Sequence, residues 1–175
     1  MAQGLAFLFD PDADAAVRSL WARLERAGVP SLATHTHGRH RPHVTFALAG
    51  AIPQNTRDAL RADLRQLAIP RLWLNTLGAF ATVENVLMLA AVVDTELLAV
   101  HSAVHDILAG RVRQPSAYYL PGSWVPHCTL AQGIDPAQTA AGFAAVHPVE
   151  PIHTTVTEIA VVDSHTGEAA PLLEL

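Results

Sequence analysis

Apolar positions along this chain change period several times, and each change marks an element. Gly4 to Phe9 is a short, almost unbroken apolar run, the pattern of a buried strand. Asp10-Pro11 then opens a helix, with Asp as N-cap and Pro at the first helical position. Val17, Leu20, Trp21 and Leu24 follow helical spacing, and Gly28 closes the segment. A histidine-rich stretch, Thr34 to Arg41, leads into a strand over 43–49. Thr56 is placed to cap a second helix along Leu60, Leu64 and Leu67; Ile69-Pro70 ends it, and 71–80 is extended.

The same order then recurs. Asn85 to Val93 predicts a strand, and Thr95 is placed to cap a helix with Leu97, His101, Val104 and Leu108 on one side. Gly110 stops that helix, and a loop through Tyr118-Tyr119-Leu120-Pro121-Gly122 leads to a strand over 127–132. Asp135-Pro136 opens a further helix to about Val146, 151–162 is β-rich, and Glu168 to Leu175 is expected to pair back as a hairpin partner. Both halves read strand–helix–strand–helix–strand, and no Gly/Ser-rich linker divides them. The expectation is a single α+β domain over 1–175, a duplicated fold with one repeat over about 1–81 and the other over about 82–175. Sheets would line a central groove with helices outside.

The middle strand of each half carries the same phrase. One copy reads Arg41-Pro42-His43-Val44-Thr45-Phe46-Ala47, the other Val125-Pro126-His127-Cys128-Thr129-Leu130-Ala131, at an offset of 84. Residues two apart in a strand share a face, so each copy presents an imidazole beside a hydroxyl, while Val44, Phe46, Cys128 and Leu130 pack behind.

Composition narrows what these phrases do. The formal charge of −5 argues against a broad electrostatic grip on long nucleic acid. All eleven basic residues are arginine, which removes lysine chemistry of the Schiff-base or nucleotidyl-lysine kind. The single cysteine, Cys128, allows no intramolecular disulfide and is expected in the core. The longest apolar stretch, around Val86 to Val93, is too short to span a bilayer, and no signal-like segment opens the chain, so a cytoplasmic protein is expected.

Histidine titrates near neutrality, so two imidazoles facing one substrate serve as base and acid at the same pH. Adjacent threonine hydroxyls donate to phosphoryl oxygens and hold the scissile group in line, and direct protonation of the leaving oxygen needs no metal. Two-fold placement suits in-line displacement at phosphorus.

In its twin His-x-Thr phrases, pseudo-repeat and length, the chain resembles the two-histidine (2H) phosphoesterase superfamily, and within it the 2′-5′ RNA ligase-like and RNA cyclic phosphodiesterase branch. The resemblance implies a bilobal fold with a pseudo-two-fold axis and antiparallel sheets. It also implies metal-independent hydrolysis of 2′,3′-cyclic or 2′,5′-linked phosphodiesters of nucleotides or RNA ends, or ligation in reverse. It casts His43 and His127 as the acid/base pair and Thr45 and Thr129 as phosphate clamps. A non-catalytic nucleotide- or RNA-binding module on the same fold is the competing expectation.

Around this core, Arg41 is placed to attract the phosphate, and Tyr119 and Trp124 to stack on a base at the groove rim. His35, His37, His40 and His43 have metal-like density but lack matching Cys or carboxylates, so they read as a polar loop and no metal or cofactor is expected. His101 and His105, spaced i, i+4, are expected as partly exposed surface residues. The implied partner is a nucleotide or RNA-terminal phosphodiester, with no membrane and no obligate protein partner.

Overall fold

The computed structural model describes residues 2–80, 82 and 84–175. It is a mixed α+β fold of two four-stranded antiparallel sheets and four helices. In chain order the elements are β1 (Gln3–Phe9), α1 (Pro11–Arg26), β2 (His43–Ala49), α2 (Gln54–Leu64), β3 (Leu72–Ala79), β4 (Leu87–Ala91), α3 (Thr95–Leu108), β5 (His127–Ala131), α4 (Pro136–Val146), β6 (Ile152–Thr154), β7 (Val156–Asp163) and β8 (Ala169–Glu174). Two single 3₁₀ turns, Leu32–Thr34 and Ala117–Tyr119, precede β2 and β5 respectively.

The helix signals act largely as read. Asp10 accepts from the Ala13 backbone N–H at 2.9 Å, and Asp135 with Gln138 forms a reciprocal capping box on α4. Two caps differ from expectation. Asp94, not Thr95, caps α3 by accepting from Leu97 N–H at 2.8 Å, because the helix begins one residue later than the cap. Thr56 lies inside α2, which starts at Gln54 after Pro53; the Thr56 side chain is buried rather than capping.

Sheet order is β2-β1-β7-β8 in one sheet and β5-β4-β3-β6 in the other. The equivalent strands of the two halves occupy equivalent places, but the third strand of each half has crossed over. β3 follows β2 in sequence yet pairs with β4, and β7 comes from the second half yet pairs with β1. The two sheets therefore do not divide at 81/82, since each draws strands from both halves of the sequence. The helices cross in the same way: α1 packs behind β5 and α3 behind β2. One continuous core results, running from Phe7, Phe46 and Trp21 through Leu74, Leu87 and Leu89 to Val104 and Ile159. Phe7 stacks on Phe46 with ring centroids 3.6 Å apart.

β2 and β5 are edge strands, and these two edges meet. Each carries a bulge at the same place in its phrase. Ala6 pairs with Thr45 and Leu5 with Ala47, skipping Phe46; Met88 pairs with Thr129 and Leu87 with Ala131, skipping Leu130. A bulge puts two residues opposite one and reverses the facing of everything beyond it.

Candidate active site

Val44, Phe46, Cys128 and Leu130 are fully buried, which turns His43, Thr45, His127 and Thr129 toward the cleft between the two edge strands. Both imidazoles and both threonines line one cavity of about 240 Å³. A second cavity of about 470 Å³ adjoins it and shares Leu48, Tyr119, His127, Thr129 and Gln132. The reacting group of a ligand placed between the imidazoles would thus have room on both sides.

The two histidines are held alike. His43 Nδ1 lies 2.6 Å from the Arg41 carbonyl, and His127 Nδ1 lies 2.7 Å from the Val125 carbonyl. A carbonyl only accepts, so each Nδ1 carries the hydrogen and each Nε2 is left for a substrate. Burial lowers the pKa of His43; the Arg41 carbonyl opposes this, while positive charge on His127 and on Arg41 adds to it. Burial likewise lowers His127, against the Val125 carbonyl. Because charge on one ring disfavours charge on the other, the pair is suited to carrying a single shared proton, one imidazole as base and one imidazolium as acid.

The strands behind these side chains are fixed by tryptophans from the opposite half. Trp124 donates its indole N–H to the Thr45 carbonyl at 3.0 Å, and Trp21 on α1 donates to the Thr129 carbonyl at 3.3 Å. Trp124 stacks face to face on His101, centroids 3.9 Å apart, and packs against Phe46. Trp124 does line the larger cavity, with its indole N–H and one ring face already occupied. His101 is 1% exposed, contrary to a surface role, and its Nε2 donates to the Tyr119 carbonyl at 2.9 Å. His105 Nε2 donates to the Phe46 carbonyl at 3.0 Å. A buried neutral imidazole is tolerated here because a backbone carbonyl accepts from each ring.

Tyr119 lines both cavities, and its phenol is raised above the ordinary range by burial and by the Glu84 carboxylate. Arg41 lines neither cavity: its guanidinium pairs with Glu158 at 3.0 Å, the carboxylate that β7 sets beside it. Cys128 is buried, its thiol pushed up to about 12 by desolvation, which suits packing and not nucleophilic attack.

Leu48, Gln132 and Phe80 are among the lining residues that the sequence reading did not single out. Leu48 and Gln132 occupy equivalent positions just past the two bulges and line both cavities. A strict two-residue alternation would have pointed Ala47 and Ala131 at the cleft; the paired apolar residues Phe46-Ala47 and Leu130-Ala131 were the available sign of a bulge. Phe80, at the end of β3, meets the His127 ring edge-on at 4.9 Å, a placement created by the strand crossover.

A model of the 2′-5′ RNA ligase superfamily matches residues 9–168. The chain belongs to the 2′-5′ RNA ligase superfamily, the 2H phosphoesterases. Membership makes it an enzyme of the phosphoesterase or ligase type. A solved structure described as a phosphoesterase shares the fold at TM-score 0.58 and 16% identity, covering 99% of this chain and 95% of that one. Usb1 from Kluyveromyces marxianus aligns at TM-score 0.49 and 12% identity over 99% of this chain and 98% of that chain. The same protein with uridine monophosphate aligns at TM-score 0.49 and 13% identity over the same shares. No curated protein matches this superfamily member. Among its described residues, no helix is long and apolar enough to cross a membrane, and no group of three or more His, Cys, Asp or Glu is arranged to hold a metal ion.

Proposed function

We propose that this chain is a metal-independent phosphodiesterase acting on 2′,3′-cyclic or 2′,5′-linked phosphodiesters of nucleotides or RNA ends. The observation that carries the reading is the matched pair of Nδ1–carbonyl contacts, which leaves two Nε2 atoms, one per phrase, on a shared cavity. A non-catalytic binding module has no need of two imidazoles fixed in the same tautomer.

In this reading the scissile phosphorus sits between His43 and His127. The neutral imidazole takes a proton from water through Nε2 as the water oxygen bonds to phosphorus. The imidazolium gives its Nε2 proton to the ribose oxygen as the opposite P–O bond breaks, so one proton enters the pair and one leaves. Thr45 and Thr129 donate hydroxyl hydrogens to the non-bridging oxygens. The aromatic cavity of Phe80, Tyr119 and Trp124 receives the nucleoside, where flat apolar faces favour a base. Replacing water with a ribose hydroxyl runs the same displacement toward a 2′,5′ bond, the ligase direction of the superfamily.

The test is turnover of a nucleoside 2′,3′-cyclic phosphate with and without EDTA, in the wild type and in His43→Ala and His127→Ala. EDTA-resistant turnover that falls at least ~10² in each variant is expected, the scale of a lost general acid or base. Near-native turnover in either variant, or loss of activity in EDTA, would refute the mechanism.

A further inference from the structure

On the side of the histidine pair away from the aromatic cavity, the cleft is walled by a second set of imidazoles. His35, His37 and His40, with Thr36, Asp163 and Ser164, line the 240 Å³ cavity that also holds His43 and His127. The proposed reaction uses none of them. We propose that this histidine wall is a second phosphoryl-binding subsite, which receives a phosphomonoester carried by the same substrate as the scissile phosphodiester.

The hydrogen-bond inventory favours an anion over a cation. His37 Nδ1 accepts from the Arg39 backbone N–H at 3.0 Å, so its hydrogen sits on Nε2. That Nε2 is buried and has no partner among the described residues. That atom is closed to solvent, so a phosphoryl oxygen in the cavity supplies the missing acceptor once the His37 ring turns toward it, and the cost of leaving a buried donor unsatisfied favours that turn. The His37 and His40 rings are 4.1 Å apart, close enough to address one phosphoryl group together. His40 Nε2 lies 3.2 Å from the Thr36 hydroxyl, which adds a further polar group.

The wall is held in place and is not a loose loop tip. The His37 ring abuts Gly167 in the β7–β8 turn so closely that a Cβ there would collide with it, and Gly167 has φ +70°. His35 lies against Gly133, just beyond the second phrase.

Charge supports the same ligand. Burial and the neighbouring His37, His43 and His35 push His40 down to about 4, and burial with Arg39 lowers His37, so both are neutral near pH 7 without an anion. The other charged or titratable groups around them are His35, His43, His127, His165, Arg39, Arg41, Tyr119 and Asp163. Asp163 is the one carboxylate at this wall, and it already accepts from the backbone N–H groups of His165 and Thr166 at 2.8 and 3.0 Å. A phosphoryl anion offsets the mutual repulsion among these rings, so it raises the midpoints of both His37 and His40 and is bound with proton uptake in the acid range where they titrate. A substrate with phosphate at both ends of a short span is recognised, and a bare cyclic nucleotide leaves the subsite empty.

The substrate half of this proposal rests on the phosphodiesterase reading; the anion site does not, and the test separates them. Ring resonances of the histidines are followed by NMR during titration with inorganic phosphate, in the wild type and in the His43→Ala/His127→Ala double variant. The His37 and His40 signals are expected to move in both proteins, with midpoints rising by about one pH unit or more. His37→Gln, and independently His40→Gln, in the double-variant background should weaken phosphate binding about tenfold, the loss of one charge-assisted hydrogen bond. Unmoved His37 and His40 signals would overturn the subsite. Turnover of a 2′,5′-linked dinucleotide is then compared with and without a terminal phosphomonoester. A rise in kcat/KM of about tenfold or more, collapsing in His37→Gln, is expected from the same lost contact. Equal kcat/KM for the two would overturn the substrate assignment, and no turnover of either would refute the phosphodiesterase reading while the titration result stood.

Discussion

The buried imidazole of His101 makes folding stability depend on acidity in a way that can be measured. Its ring is 1% exposed, stacked on Trp124 and bonded to the Tyr119 carbonyl, and desolvation, with the neighbouring His105, brings its pKa from the ordinary 6.5 down to about 4. In the unfolded chain the ring takes up a proton as pH falls through 6.5, whereas the folded ring resists until about 4. The unfolded state therefore binds more protons across that window, and stability rises with pH within it. From pH 7 to pH 5 this one group should cost the folded state about 2 kcal/mol, and about 3 kcal/mol once both values are passed. The assay is urea unfolding at pH 7 and pH 5, in the wild type and in His101→Gln, which keeps a donor for Tyr119 and removes the titration. The variant should be less stable at pH 7, because the stack is lost, yet its stability should fall by about 2 kcal/mol less between the two pH values. Equal losses in the two proteins would refute the reasoning, because His40, His37 and the active-site pair titrate in both.

Both members of the proposed catalytic pair lie below the ordinary 6.5, so the bell of kcat/KM should sit on the acid side of neutrality. The base limb rises and the acid limb falls as pH climbs through these lowered values; an optimum at or above pH 7.5 would contradict it. Trp124→Phe removes the donor to the Thr45 carbonyl, which should cost about 1–3 kcal/mol of stability by denaturant titration and lower kcat more than it raises KM. Phe80→Ala opens the wall against His127 and should raise KM for a cyclic nucleotide several-fold, read from initial rates, with kcat changed less.

Much of the site was legible because it is local. The alternation His43-Val44-Thr45 and its copy place hydroxyl and imidazole on one face through strand geometry alone, and the caps at Asp10 and Asp135 follow from one side chain and one nearby N–H. What escaped was non-local. Leu48 and Gln132 reach the cleft only because a bulge reverses the facing, and a bulge is a property of two paired strands. His101 looked like a partly exposed surface residue at helical spacing, yet α3 turns it onto Phe46 and Trp124, where the Tyr119 carbonyl awaits it; His105 is half-buried, and its ring reaches the Phe46 carbonyl. No pattern within α3 announces acceptors supplied from 18 and 59 residues away.

The crossed third strands explain how the pair stays aligned. Had each half folded on itself, the two phrases would sit on separate lobes, and the separation of the imidazoles would depend on a hinge. Instead β3 and β7 are exchanged, Trp21 of the first half holds Thr129 of the second, and Trp124 of the second holds Thr45 of the first. The segments ahead of the phrases cross as well: Ser116 N–H donates to the Leu48 carbonyl at 2.8 Å, and the turn at Leu32–Thr34 packs on β5. Each phrase is thus backed by the half that does not contain it. Spreading the histidines would require breaking the common core, so their spacing is set by packing that costs far more to deform than a loop. The proposed two-histidine mechanism needs that stiffness, because in it neither imidazole works without the other at in-line distance from the same phosphorus.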